Sequence, residues 1–240
     1  MSRLLSPDRD TGGVFISFEG TAGSGKTTQL QLLAEYLREQ SYDVLTTREP
    51  GGTAIGDRIR EGILLDPKYR EILPLTDLLL FSASRAQLVG QVIRPHLEKG
   101  GVVLCDRYAD STFAYQGYGR GVDLALLRQI TDLATGGLVP DLTVYLDLPV
   151  EEGMERRERV LRAQAASNAA AQLPLWVRRD RLDIQPLEFH RRVREGYLEM
   201  AAAEPERWVV VKASRPVDDV QREIRCCVNR LLAGERKSKH

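Results

Sequence analysis

Short apolar runs alternate with longer amphipathic stretches along this chain. Val14-Phe15-Ile16-Ser17-Phe18 has the pattern of a buried strand, and Lys26 to Gln40 that of a helix with Leu30, Leu33 and Leu37 on one face. Asp43 to Thr47 is a second short strand. Ala54 to Leu65 and Pro74 to Glu98 carry helical patterning, with Pro95 placed to kink or end the second. "GVVLCDRY" is a strongly apolar strand that ends in charge at Asp106. Asp123 to Ala134 is helical, "LTVYLDL" (Leu142 to Leu148) is a strand, and a helix begins near Val150. "WVVVKA" is the last strand, followed by a closing helix from Val217 to Leu232. Apolar strands alternating with helices predict an α/β fold, with a five-stranded parallel sheet covered on both faces in a three-layer α/β/α arrangement. Each crossover is expected to be right-handed.

One segment breaks the alternation. "RAQAASNAAAQLPLWVRRDRLD", Arg162 to Asp183, is rich in Ala, Gln and Arg, lacks a clear apolar stripe and contains Pro174. It is expected to be a solvated connection, and long connections inside compact domains tend to be mobile or functional. The chain has 240 residues, enough for one well-buried domain. Its core is expected over about 14–232, with frayed tails at 1–12 and 234–240.

Composition narrows the function. Lys plus Arg (34) equals Asp plus Glu (34), a formal net charge of zero. Binding along a nucleic-acid backbone normally requires a basic excess, so nucleic acid is not an expected partner and any phosphate must meet a local cluster. Cys105, Cys226 and Cys227 have neither metal-ligand spacing nor a disulfide framework, which points to reduced thiols in the cytoplasm. "MSRLLSPDRDTGG" lacks the apolar core of a signal peptide. No run approaches the ~20 apolar residues of a membrane span. A soluble cytoplasmic protein is expected.

The local cluster is "FEGTAGSGKTTQ", residues 18–29. Gly20 to Thr27 fits G-x-x-x-x-G-K-[ST] without a mismatch, between an apolar strand and a helix, as the motif requires. Its glycines allow backbone N–H groups to turn inward around phosphate oxygens, and the helix N-terminus adds its positive dipole end. Lys26 is expected to reach the β and γ phosphates of a nucleoside triphosphate, and the Thr27 hydroxyl to ligate Mg²⁺. The predicted fold is therefore that of the P-loop NTPases. A second metal-side carboxylate belongs at the end of a neighbouring strand, where Asp106 stands; a cap of the next helix is the lesser alternative. Arg107, beside it, is suited to a substrate phosphate.

Several classes use such a loop. A GTPase switch needs an N-K-x-D motif, which is absent, and a motor needs further signature elements. A small-molecule kinase needs a second phosphate site, and "TREPGGTAIGDRIR" (Thr47 to Arg60) follows the second strand at the sheet's carboxyl edge. Arg48 with Gly51-Gly52 suits a loop folding over an anion, though an ordinary turn with a surface arginine looks the same. Phe81 and Arg85 are four residues apart in "LLLFSASRAQ" and share a helical face. Such a pair can stack on a base and hydrogen-bond its edge, or can be a core ring beside a solvated cation.

"FEG…GSGKTTQ", "TREPGGT", "LLLFSASRAQL", "CDRYADSTFAYQGYGRG", "PDLTVYLDL" and "DRLD" occur in this order. The series closely resembles the bacterial type of the thymidylate kinase family, from Val14 to the closing helix. The resemblance implies transfer of the ATP γ-phosphoryl to dTMP with Mg²⁺, by a cytoplasmic homodimer. It implies that Gly20, Thr21, Ala22, Gly23, Ser24, Gly25, Lys26, Thr27 and Thr28 hold ATP, with Ala213 and Ser214 at the adenine. Phe81 would stack on thymine and Arg85 would donate to its carbonyl. Arg107 would hold the acceptor phosphate, with Arg48 and Pro50 in the acceptor loop. Ser111, Thr112, Tyr115 and Gln116 would line base and sugar, Tyr115 filling the space of a ribose 2′-OH. A lid spanning about 153–182 would close over the reacting groups and bring in Arg156, Arg159, Arg178, Arg179 or Arg181.

Two positions depart from the family pattern. The family commonly has Asp or Glu where this chain has Ala22, and the Ala-rich stretch Ala165 to Ala171 lengthens the lid. Another P-loop kinase of nucleotides or nucleosides, or a homologue weakened in catalysis, remains the alternative reading.

Overall fold

The computed structural model describes residues 12–69, 71–166, 182 and 185–234. Five strands form one all-parallel sheet: β1 (Val14–Glu19), β2 (Val44–Arg48), β3 (Val102–Asp106), β4 (Leu142–Asp147) and β5 (Trp208–Lys212), in the order β2-β3-β1-β4-β5. The central strand β1 is flanked by β3 and β4, with Phe18 opposite Asp106 and Val144. Its period-2 alternation divides the core. Ile16 and Phe18 pack with Leu30, Leu33, Leu37, Val220, Ile224 and Val228, which come from α1 (Lys26–Glu39) and α9 (Val217–Leu232). Phe15 packs on the other face with Leu88, Val89, Ile93 and Tyr108. Ser17 and Glu19 share the parity of Phe15, so the last side chain of β1 is a buried carboxylate on that second face.

The second face is covered by α3 (Pro74–Leu88), α4 (Arg94–Leu97) and α8 (Leu187–Ala203). α8 was not among the expected elements. Its buried residues Phe189, Val193, Tyr197 and Ala201 recur every four positions and pack on Tyr115, Tyr145 and Trp208. Phe189 and Val193 each contribute about 1.5–3 kcal/mol of apolar burial.

Three helices widen into π turns. α2 (Ala54–Ile59) continues through Arg60–Leu64, α3 through Val89–Ile93 into α4, and α5 (Ala109–Thr112) through Phe113–Gly119. The second of these decides between the two expectations at Pro95, a kink or an end. The wider turn ahead of it accommodates the ring and the missing N–H, so helical structure passes through Pro95 to Leu97 rather than ending there. α6 (Leu124–Thr135) is capped by the Asp123 side chain, which accepts from Leu126 N.

α7 (Val150–Ala166) corrects the reading of the connection after it. Arg162 to Ala166 were expected to be non-helical, but the helix runs through them. Ala, Gln and Arg are strong helix formers, and no proline or glycine intervenes, so an apolar stripe is not needed to extend the helix. Arg178, Arg179 and Arg181 lie outside the described residues. No helix among the described residues is long and apolar enough to cross a membrane.

Candidate active site

The carboxyl edge of the sheet gathers the conspicuous charged residues. β1 runs into the glycine loop, and α1 begins at Lys26 behind Gly25, whose φ is 90°. At Gly23, φ is 75°, and a Cβ there would collide with the Gly153 carbonyl. Conversely, a Cβ at Gly153 would strike the Ala22 carbonyl, so the loop and the start of α7 meet backbone to backbone.

Lys26 folds back over this loop. Its Nζ donates to Gly20 O (3.1 Å), Thr21 O (2.9 Å) and Ser24 Oγ (3.4 Å). Burial, then the positive charge of Arg107, pushes the ammonium down to about 7 against the pull of Asp106 and Glu19. The adjacent Thr27 Oγ1 donates to Asp106 Oδ2 at 2.6 Å, joining the start of α1 to the end of β3. A hydroxyl and a carboxylate this close are hard oxygen donors of the kind Mg²⁺ takes, so the residues present fit that ion.

Arg107 follows β3 with φ 69°, in the left-handed region that costs a non-glycine residue about 1–3 kcal/mol. Its N–H donates to Phe18 O at 3.0 Å, and the Cys105 thiol donates to its carbonyl at 2.9 Å, which holds the turn. The conformation directs the guanidinium onto hydroxyls: Nη1 donates to Ser111 Oγ (3.1 Å) and Tyr197 OH (3.4 Å), and Nη2 to Tyr115 OH (3.1 Å). The cation also lies 5.0 Å from the centre of the Tyr115 ring.

Arg85 is buried on α3. Its Nε and Nη2 both engage Glu49 Oε2, at 2.8 and 2.6 Å, and Nη2 donates to Tyr108 O at 3.3 Å. Nη1 of Arg85 and Oε1 of Glu49 have no partner among the described residues. Leaving a buried donor of this kind unsatisfied costs about 1–3 kcal/mol. Phe81 lies one turn earlier and is half-buried. Gly51 N donates to Ser84 Oγ at 3.1 Å, so the loop after β2 is fastened to one turn of α3. Pro50 follows a cis peptide bond, and its carbonyl accepts from Arg60 Nη1 at 2.9 Å.

Other expected site residues stand elsewhere. Arg48 is exposed and reaches Asp57 at 3.4 Å, because its strand position turns it to the surface while neighbouring Glu49 turns inward. Arg156 donates to Ala213 O (2.9 Å) and Glu152 Oε1 (2.6 Å), which fastens α7 to the loop after β5 instead of to the phosphate loop. Arg159 is exposed and Ser214 is exposed, whereas Thr112 and Gln116 are buried. Arg157, one helical position from Arg156, lines a small cleft with Thr21, Ala22, Val150, Met154 and His190, and its charge bears on Lys26.

Four side chains of the site were missed in the sequence: Glu19, Glu49, Arg157 and Tyr197. Glu19 is fully buried, and burial with the nearby charge of Asp110 pushes its carboxyl up to about 7, although Arg107 and hydrogen bonds oppose this. Its Oε1 accepts from Tyr108 N (2.7 Å), and its Oε2 from Ser111 Oγ (2.6 Å) and Tyr197 OH (2.9 Å). A carboxylate closing an apolar strand just before a glycine loop was the available signal.

A parallel α/β sheet with this strand order, a lysine-bearing glycine loop, a Thr–Asp pair and an arginine beside it defines a P-loop phosphotransferase. The family model described as thymidylate kinase matches residues 18–224. Thymidylate kinase of Roseiflexus sp. (strain RS-1) is 53% identical over 221 residues, covering 92% of this chain and 96% of that protein. Thymidylate kinase of Deinococcus radiodurans is 52% identical over 217 residues, covering 90% and 97%. The crystal structure of thymidylate kinase from Ehrlichia chaffeensis superposes with a TM-score of 0.70 at 34% identity, covering 91% of this chain and 99% of that one. The chain belongs to the thymidylate kinase family.

Proposed function

We propose that this enzyme transfers the γ-phosphoryl group of ATP to dTMP, giving ADP and dTDP, as a single kinase domain in the cytoplasm. The observation that carries the reading is the meeting of Lys26, the Thr27–Asp106 pair and Arg107 at one edge of β1 and β3. Lys26 and the loop N–H groups hold the triphosphate, while Ala213 and Ser214 border the adenine. Thr27 and Asp106 would hold Mg²⁺, which when bound would supply charge neutralisation on the donor phosphates. Arg107 holds the acceptor phosphate with its remaining N–H groups.

The acceptor is a phosphate monoester whose second pKa is near ~6, so it is already dianionic at neutral pH and needs no general base. The work left to the protein is to bring two polyanions together and to meet the charge between them. Arg85 Nη1 donates to a thymine carbonyl beside the Phe81 ring, which disfavours cytosine with its amino donor at that edge. Arg157 joins the lid arginines as the described residue best placed to reach the transferring group.

The enzyme acts as a homodimer. Leu75 (57% exposed), Leu79 (50%), Leu126 (41%) and Leu133 (77%) leave apolar surface on α3 and α6 that a second copy would cover. A coupled assay with ATP and dTMP, dUMP, dCMP, dGMP or AMP tests the reaction. dTMP gives the highest kcat/KM and dUMP follows; equal rates with dCMP overturn the base assignment.

A further inference from the structure

Every hydrogen-bond acceptor that the described residues offer the Arg107 side chain is a hydroxyl oxygen: Ser111, Tyr115 and Tyr197. A hydroxyl accepts from a guanidinium with a free lone pair, and does so reliably only when its own proton is committed elsewhere. For Ser111 and Tyr197 that place is a single atom, Glu19 Oε2, at 2.6 and 2.9 Å. The two hydroxyl oxygens are themselves 2.9 Å apart, so they form one cluster. The Tyr197 ring is fixed by stacking on Tyr145, with centroids 4.9 Å apart.

We propose that Glu19 is a positioning residue for the acceptor: by taking the hydroxyl protons of Ser111 and Tyr197, it presents their lone pairs to Arg107 and fixes the guanidinium at the phosphate edge. This rests on the assignment of Arg107 to the acceptor phosphate. The interposed hydroxyls explain why a buried carboxylate beside the site does not capture the arginine. They bind it as neutral acceptors, and its charge is left for the incoming dianion. The main-chain N–H of Tyr108 takes the other carboxylate oxygen, at 2.7 Å, so the three hydrogen bonds Glu19 accepts hold the turn that carries Arg107 and the hydroxyls that meet its guanidinium.

Glutamine cannot replace this arrangement. With its amide nitrogen toward Tyr108, two N–H donors face each other. With the nitrogen toward Ser111 and Tyr197, one hydroxyl can donate to the other, but the remaining proton loses its acceptor and turns toward the donors of Arg107. Either orientation loosens the guanidinium without changing the volume of the site.

The test is run at pH 8, where the Glu19 carboxyl, pushed up to about 7 by burial, is largely ionised. It measures dTMP binding by calorimetry and KM for ATP in Glu19→Gln, Arg107→Ala and the double variant. Glu19→Gln is expected to weaken dTMP tenfold or more while KM for ATP stays within twofold. In the Arg107→Ala background the same change is expected to weaken dTMP less than twofold further. An equal factor in both backgrounds, or an equal loss for ATP and dTMP, overturns the proposal, because Glu19 would then act on the fold or on the loop in general. Unchanged dTMP binding in Arg107→Ala overturns the acceptor assignment itself, and the proposal with it. Should Glu19→Gln fail to fold, Tyr197→Phe, which removes one hydroxyl, carries the same comparison. It is expected to weaken dTMP at least threefold in the wild-type background and not in Arg107→Ala, and an equal factor in both overturns the proposal.

Discussion

Replacing Arg85 by methionine removes the cation from a pair whose side chains are 2% and 4% exposed. Methionine keeps most of the stem and leaves the Glu49 carboxylate buried without a counter-charge. Breaking a buried pair from one side costs about 3–5 kcal/mol. For a chain of this size each kcal/mol moves Tm by about 2–4 °C, so the expected loss is roughly 6–20 °C. The loss depends on pH with a definite sign. Burial already pushes the Glu49 carboxyl up despite Arg85 beside it, and without the cation it moves further. A carboxyl whose folded-state pKa lies above its unfolded value binds more protons when folded, so stability falls as pH rises. Calorimetry at pH 6, 7 and 8 is therefore expected to show the Tm gap to wild type widening with pH. Adding Glu49→Gln removes the lone charge and is expected to recover most of the Tm. It is not expected to recover kcat/KM for dTMP, which stays about 1–3 kcal/mol worse because the donor to the base is gone. A Tm gap that is small and independent of pH would refute the energetic argument. Recovery of dTMP turnover in the double variant would show that Arg85 acts on the fold alone.

Burial, chiefly, places the Lys26 ammonium near 7, and a triphosphate against it raises that value. ATP binding is therefore expected to take up close to one proton at pH 8 and little at pH 6, measured by calorimetry in buffers of different ionisation enthalpy; identical heats in all buffers at pH 8 would contradict this. Arg157→Ala is expected to lower kcat a hundredfold or more, about 2.7 kcal/mol, whereas Arg159→Ala stays within threefold; the reverse order in steady-state assays would return the exposed arginine to the mechanism. Ala22→Asp adds a carboxylate to the cleft shared with Arg157 and His190. Its kcat/KM for dTMP is expected to hold or rise, and a large loss would mean that the loop has packed around the small side chain.

The strands and the glycine loop were legible because their signals are local: runs of Val, Ile and Leu, and a motif of fixed spacing. What stayed hidden is mostly long-range. The partners of Glu19 lie 92 and 178 residues away, and the strand reading stopped one residue short of it at Phe18. α8 escaped notice because its four-residue apolar spacing is interleaved with Arg191, Arg192 and Arg194. In "ERRER" the charge cluster is obvious, but adjacent residues on a helix point about 100° apart, so Arg156 faces the loop after β5 and Arg157 the phosphate loop. Arg48 closes β2 at the surface, and Glu49, in the bend after it, turns inward.

Replacing a helical glycine by alanine is a common route to a more heat-resistant enzyme, worth about 1 kcal/mol of helix propensity. Gly153 lies inside α7 and would be an obvious candidate for such engineering. That route is closed here, because the methyl group would enter the carbonyl of Ala22 and force the nucleotide loop aside. The helix gives up propensity so that the first turn of α7 and the loop can share one surface. Thermostabilising changes to α7 therefore belong beyond Glu158, on its solvent face, where added side chains leave that shared surface intact.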